Sequence, residues 1–228
     1  PYSRPFVNVS QLRSMLTTDR VVIKFDTHST LGTQTLLWPC SINLDHLPWH
    51  TGIVQEMVSG REFTVTLAVG AKNWAILGTA VDFKKRYDND LGPNTFGMGS
   101  VAPCSYLPPD IDKTLNTVVQ CLQSKFKFIG ILSCQFMIDN ANVWFLEYNT
   151  RICDPEFQSM APLIDAPTLC DSLSSLKNNL YVLPPVISPD QAVTVGLIHQ
   201  DWPQPQAYRV DINLDDCDLL ISKMQGAW

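Results

Sequence analysis

Four runs rich in β-branched and aromatic residues dominate the first 83 positions: VVIKF at 21–25, GIVQEMV at 52–58, EFTVTLAVG at 62–70 and WAILGTAVDF at 74–83. Such side chains pack well on a pleated surface, so each run reads as a strand. Along the whole chain, strands and helices alternate without the regular strand-helix-strand succession that a parallel sheet requires. The expected class is therefore α+β, organised around antiparallel sheets.

The other elements follow from periodicity. NVSQLRSML at 8–16 has apolar residues at helical spacing and Ser10 as its N-cap. DIDKTLNTVVQCLQSKF at 110–126 carries Leu115, Val118, Val119 and Leu122 on one face, the pattern of an amphipathic helix. FIGILSCQFMI, a turn at DNAN and VWFLEYN form a hairpin over 128–149. PTLCDSLSSLKNNL reads as a helix opened by Pro167 and capped near Asp165, and QAVTVGLI at 191–198 as a further strand. KKRYDNDLGPNTFGMGSVAP at 84–103, crowded with Asp, Asn, Gly and Pro, reads as a long functional loop.

Composition removes several classes. Net charge is -6, and no basic cluster exceeds FKKR at 83–86, so a nucleic-acid partner is not expected. Seven scattered cysteines with no C-x-x-C pair indicate neither a disulfide framework nor a zinc site, which suits a reducing, cytoplasmic setting. No apolar run approaches the roughly 20 residues of a membrane span. Neither a G-x-G-x-x-G nor a P-loop sequence occurs.

The stretch FLEYNTRICDPE at 145–156 concentrates chemistry. Residues i and i+2 of a strand share a face, so Glu147 and Asn149 present two hard oxygen donors side by side, a set that suits magnesium. The alternative is a strand end whose polar groups satisfy loop backbone. Arg151, Asp154 and Glu156 follow at once.

Together, VVIKFD, VQEMVSGREF, DFKKRYDNDLGPNTFGMGSVAP and FLEYNTRICDPE stand in the order and spacing of the ATP-grasp ligases. The chain most resembles the phosphoribosylamine-glycine ligases, whose pattern runs D-H-K-R, G-D-G-D-T-G-P-N-T-G-G-M-G and E-F-N-x-R-x-G-D-P-E. The resemblance implies an ATP-grasp fold, two α+β lobes sandwiching the nucleotide. It implies a small lid subdomain at 1–60, a core subdomain at 61–185 and a partial, β-rich C-terminal domain at 186–228. It implies ATP and Mg2+ as cofactors, and a glycine-like carboxylate and an amine as substrates joined through an acyl phosphate. Lys24 corresponds to the lysine on the α- and β-phosphates. Gln55, the Glu56 carbonyl and the Val58 N-H correspond to the adenine-binding hinge, and Glu62 to an acid near the ribose. Glu147 and Asn149 correspond to the magnesium pair. Arg151, Lys84 and Asp154 are the implied catalytic residues; Asp82, Asn94, Thr95 and Glu156 approach the substrate. Gln135 stands where many such enzymes place another acid, and as an amide it is a poorer metal ligand.

Three departures accompany the likeness. The loop DTHSTLGTQT lacks the lysine of the family's glycine-rich lid and offers Gly32 and Thr33 instead, with His28 beside them. Phe83, Phe96 and Cys153 replace smaller or different residues, which alters the expected acceptor pocket. The family's N-terminal domain has no counterpart in this sequence, and the expectation is that it is a separate polypeptide, that it was trimmed away, or that the substrate is something else. Three alternatives stay open: a nucleotide-binding but catalytically silent protein, a ligase with a different acceptor amine, and a plain interaction domain.

Overall fold

A computed structural model describes residues 1–16, 19–26, 35–40, 43–46, 51–95, 97–139, 142–178, 181–196 and 198. The expected lid loop, Phe96, and most of the expected C-terminal domain lie outside these residues. Two compact units separate: residues 1–61 with 137–146, and residues 62–136 with 147–228. The tip of the 128–149 hairpin thus groups with the first unit, whereas a division at 61 and 185 leaves it in the second.

The first unit is built on β1 (Ser3–Phe6), α1 (Val9–Met15), β2 (Val21–Phe25), β3 (Thr35–Trp38) and β4 (Gly52–Glu56), with the strands ordered β1-β4-β2-β3. Every strand pair described in this sheet is antiparallel. Asn8, rather than Ser10, caps α1, its side chain accepting the Gln11 N-H at 2.8 Å. Asn8 is extended while Ser10 is already helical, and only an extended cap can turn its oxygen back onto the first turn. Leu12 of α1 is buried with Phe6, Ile23, Phe25, Leu44 and Val54, and Phe6 meets Phe25 edge-on at 5.8 Å.

The second unit carries β5 (Arg61–Val69, its first residue in the first unit), β6 (Trp74–Asp82), β7 (Lys85–Tyr87), β8 (Leu91–Asn94) and β9 (Gly99–Ala102). It continues through α2 (Ile111–Phe126), β10 (Gly130–Ile138), β11 (Val143–Asn149), α3 (Glu156–Met160), α4 (Ala166–Lys177) and β12 (Ala192–Val195). Its six-stranded sheet runs β11-β10-β5-β6-β9-β12. The stretch 84–103 is therefore not one irregular loop: it contains a small hairpin, β7 with β8, and the sheet strand β9. Asn89 and Asp90 turn that hairpin in the left-handed region (φ 59° and 58°), which Asn and Asp tolerate better than other non-glycine residues. Residues 192–195 join the same sheet through β9. Asp165 caps α4 through the Thr168 N-H, and Leu115, Val119 and Leu122 form the buried stripe of α2 with Ile111, Val118 being half-buried. Among the described residues no helix is long and apolar enough to cross a membrane.

One close approach fixes the strand bearing Lys24. A Cβ on Gly52 would collide with the Lys24 carbonyl and lie 2.9 Å from both Phe25 Cα and Phe6 Cζ. Gly52→Ala is expected to force β4 away from β2 and to lower stability by about 1–3 kcal/mol, the usual cost of overpacking, read as a lower urea midpoint.

Candidate functional site

Period-two alternation organises the end of β11. Glu147 and Asn149 are half-buried, and Tyr148 between them is 44% exposed, so the two oxygen donors share the more sheltered face. Gln135 is half-buried on β10. Within the first unit, Lys24 extends from β2 and its ammonium donates to the Leu146 carbonyl at 3.2 Å. Leu146 immediately precedes Glu147 in the chain.

The segment after β11 is held by one face of the second unit's sheet. The pairing of Thr64 with Ala80, carried two residues on, sets Glu62 opposite Asp82, and Asp82 faces Ser100 across β9. Glu62, Thr64 and Thr66 on β5, Gly78, Ala80 and Asp82 on β6, and Ser100 on β9 thus share a face. Ala80 packs against Met160, and a Cβ on Gly78 would lie 3.0 Å from the same methionine, which places α3 over this face. Hydroxyls complete the attachment: Thr64 donates to Glu156 at 2.8 Å, Ser100 to the Pro155 carbonyl at 3.0 Å, and Ser133 to the Arg151 carbonyl at 2.9 Å. Cys153 is buried among them, its thiol pushed up to about 12 by burial and the Glu156 charge, against hydrogen bonds to Ser133 and Thr66 and the Arg151 charge.

At the edge of this face Lys84 forms two ion pairs, to Asp82 at 2.9 Å and Glu62 at 3.0 Å. Burial alone would lower the Lys84 pKa, but the two carboxylates outweigh it and the ammonium is held above its ordinary value. Asp82 moves the other way for its class, up to about 6: burial is the largest cause, Glu156 and Glu62 add to it, and Lys84 only partly offsets them. The two shifts favour opposite protonation states of one pair. The Asp82 direction is the firmer, because its side chain is 4% exposed and its Oδ1 is buried with no hydrogen-bond partner.

Other expected site residues are placed as follows. Gln55 is buried and donates to Ser3, a contact between strands of the first unit. The Glu56 carboxylate accepts the Tyr2 N-H, and Val58 lies half-buried beyond β4. Thr95 uses its hydroxyl on the Lys84 carbonyl and accepts from Gly97, while Asn94 is exposed on β8. Arg151 and Asp154 are exposed, Asp154 accepting from Gln158 at 2.6 Å. Glu156, expected at the substrate, is 1% exposed and bonded to Thr64, so it reaches no ligand directly. Phe83 projects outward, 55% exposed, since it lies on the face opposite Asp82.

Residues 49–157 match the family described as phosphoribosylglycinamide synthetase, ATP-grasp (A) domain. Among solved structures, a phosphoribosylamine-glycine ligase from Thermotoga maritima superimposes with a TM-score of 0.76 at 22% identity, covering 89% of this chain and 56% of that one. The chain has the ATP-grasp fold. A second ATP-grasp likeness is N5-carboxyaminoimidazole synthetase from Staphylococcus aureus, solved as a complex with ADP (TM-score 0.64, 12% identity, 86% of this chain and 52% of that one). Phosphoribosylamine-glycine ligases from Leifsonia xyli and Streptococcus pneumoniae are 31% and 30% identical over 172 and 171 residues, which is 72% and 71% of this chain. The chain spans about two fifths of the length of these curated relatives (41% and 39%).

Sequence reasoning missed the hydroxyls that attach the 151–160 segment to this ATP-grasp sheet. Thr64 and Thr66 had a legible signal, two polar residues at period two inside an otherwise apolar strand; Ser133 and Ser100 had none. The titration of Asp82 has a consequence for stability. Its folded value of about 6 exceeds the ordinary 3.8, so the folded chain holds this proton more tightly than the unfolded chain. The stabilisation is complete below about pH 4 and lost as pH rises to about 6, by roughly 3 kcal/mol at most. Asp82→Asn is expected to flatten urea-unfolding free energies measured across that window relative to the parent protein.

Proposed function

We propose that the protein is an ATP-dependent carboxylate-amine ligase acting on a small amino acid, glycine in the first instance, and an amine, in a cytoplasmic setting. The observation that carries this reading is the sheltered Glu147 and Asn149 pair, directly upstream of the pinned Arg151–Glu156 segment, in a chain similar to phosphoribosylamine-glycine ligases. One carboxylate and one amide oxygen on one strand face fit magnesium, which takes few protein ligands and completes its shell with water and phosphate oxygens. When bound there, the ion would draw phosphate oxygens together and cancel part of their charge.

The protein's own groups supply the rest. Lys24 offers a compact charge to the α- and β-phosphates, while the Glu56 carbonyl, the Val58 N-H and Glu62 serve the nucleoside. The substrate carboxylate oxygen attacks the γ-phosphorus, the bond to ADP breaks, and an acyl phosphate results. The amine nitrogen then attacks the acyl carbon, inorganic phosphate leaves, and the nitrogen loses a proton. Arg151 and Lys84 stabilise the negative charge that moves through these steps. Asp154, Asn94 and Thr95 border the acceptor.

ADP release is expected with glycine, a primary amine, ATP and magnesium, and Lys24→Ala should lower kcat by roughly 10²–10³-fold. A folded protein that binds ATP yet releases no ADP with any small amino acid and amine would instead be the catalytically silent alternative.

A further inference from the structure

Around Lys84 the charges do not balance: Asp82 and Glu62 both pair with its ammonium, and Glu156 acts on Asp82 as a third acid. Glu62 is the most exposed of the three, its side chain 35% accessible, so water screens it. Glu156 is the most enclosed, 1% exposed, with the Thr64 hydroxyl on its carboxylate and the Ser159 hydroxyl on its carbonyl. It opens α3, which lies over the β6 face that ends in Asp82. Asp82 in turn has one oxygen on Lys84 and the other, Oδ1, buried without a partner. A carboxylate so placed, with a second acid fixed in the same dry layer, is the weakest point of the cluster.

We propose that Glu156 is a positioning residue for Lys84: its buried, Thr64-bound carboxylate repels that of Asp82 and so, added to burial, biases whether Lys84 is held by two acids or by Glu62 alone. The groups facing Asp82 are Lys84, Glu62 from β5 and Glu156 from α3; its neighbour on β9, Ser100, does not titrate. When Asp82 takes up a proton, the Lys84 ammonium loses one partner and keeps more of its charge for an anionic ligand. The buried GDPE-like acid thereby acts through its neighbours rather than on substrate. The consequence for catalysis rests on the ligase reading; the coupling itself does not.

The full chain, labelled with 13C at aspartate carboxyl carbons, separates the two. Asp82 should titrate near pH 6 in the parent protein. Glu156→Gln, which can still accept from Thr64, should lower that midpoint by about one pH unit. Thr64→Val, which removes the hydroxyl that fixes the Glu156 carboxylate, should move it as well, and this variant serves if Glu156→Gln does not fold. In turnover, the fall of kcat as pH rises through the Asp82 midpoint should move by the same amount as the carbon signal. A parent Asp82 that titrates near 3.8, or a folded Glu156→Gln with an unmoved midpoint, overturns the proposal even if activity falls. A shifted midpoint in a protein that never releases ADP supports the coupling and removes the ligase reading alone.

Discussion

The side-chain alternation of three adjacent antiparallel strands governs the second unit. Because β5, β6 and β9 present Thr64, Thr66, Gly78, Ala80, Asp82 and Ser100 to one side, the segment 151–160 finds an apolar seat for Met160, a Ser100 donor for the Pro155 carbonyl and a Thr64 donor for the Glu156 carboxylate, while Ser133 of β10 serves the Arg151 carbonyl. A loop rich in polar backbone would be costly to bury without them, since each unpaired group forfeits about 1–3 kcal/mol. The two oxygen donors of β11 lie just before this fastened segment. Strand geometry aims Glu147 and Asn149, and the hydroxyls fix where the chain goes afterwards.

The same packing makes the electrostatics unusual. Seating α3 on the sheet helps to bury Asp82 and brings Glu156 under cover, and burial first, with that second acid adding to it, raises the Asp82 carboxyl to about 6. Lys84 responds by binding its proton more tightly. Small groups are essential here: Gly97, in the left-handed region at φ 124°, already lies so close to Pro155 and Asp82 that a Cβ would meet both. The Cys153 thiol, where the family pattern has glycine, fills space between Ser133 and Thr66 without adding charge.

The antiparallel α+β class, the strand at 21–25, the Asp165 cap and the alternation of Glu147 with Asn149 were legible because each depends on local periodicity or a local hydrogen bond. The hairpin inside 84–103 was hidden, because Gly92, Pro93 and Asn94 have loop composition while β7 supplies their ladder. The fate of Glu156 was hidden for another reason. Nothing in DPE distinguishes an acid that meets substrate from one that meets Thr64, 92 residues away; only sheet register brings those two together. The assignment of the 137–146 hairpin tip to the first unit likewise depends on packing partners that no local pattern encodes.

Calorimetric titration of ATP into the full chain, with and without magnesium, tests the Glu147 and Asn149 assignment most directly. Binding should need magnesium and weaken at least tenfold, about 1.4 kcal/mol, in Glu147→Gln. Equal ATP affinity with excess chelator, or an unchanged affinity in that variant, would contradict it.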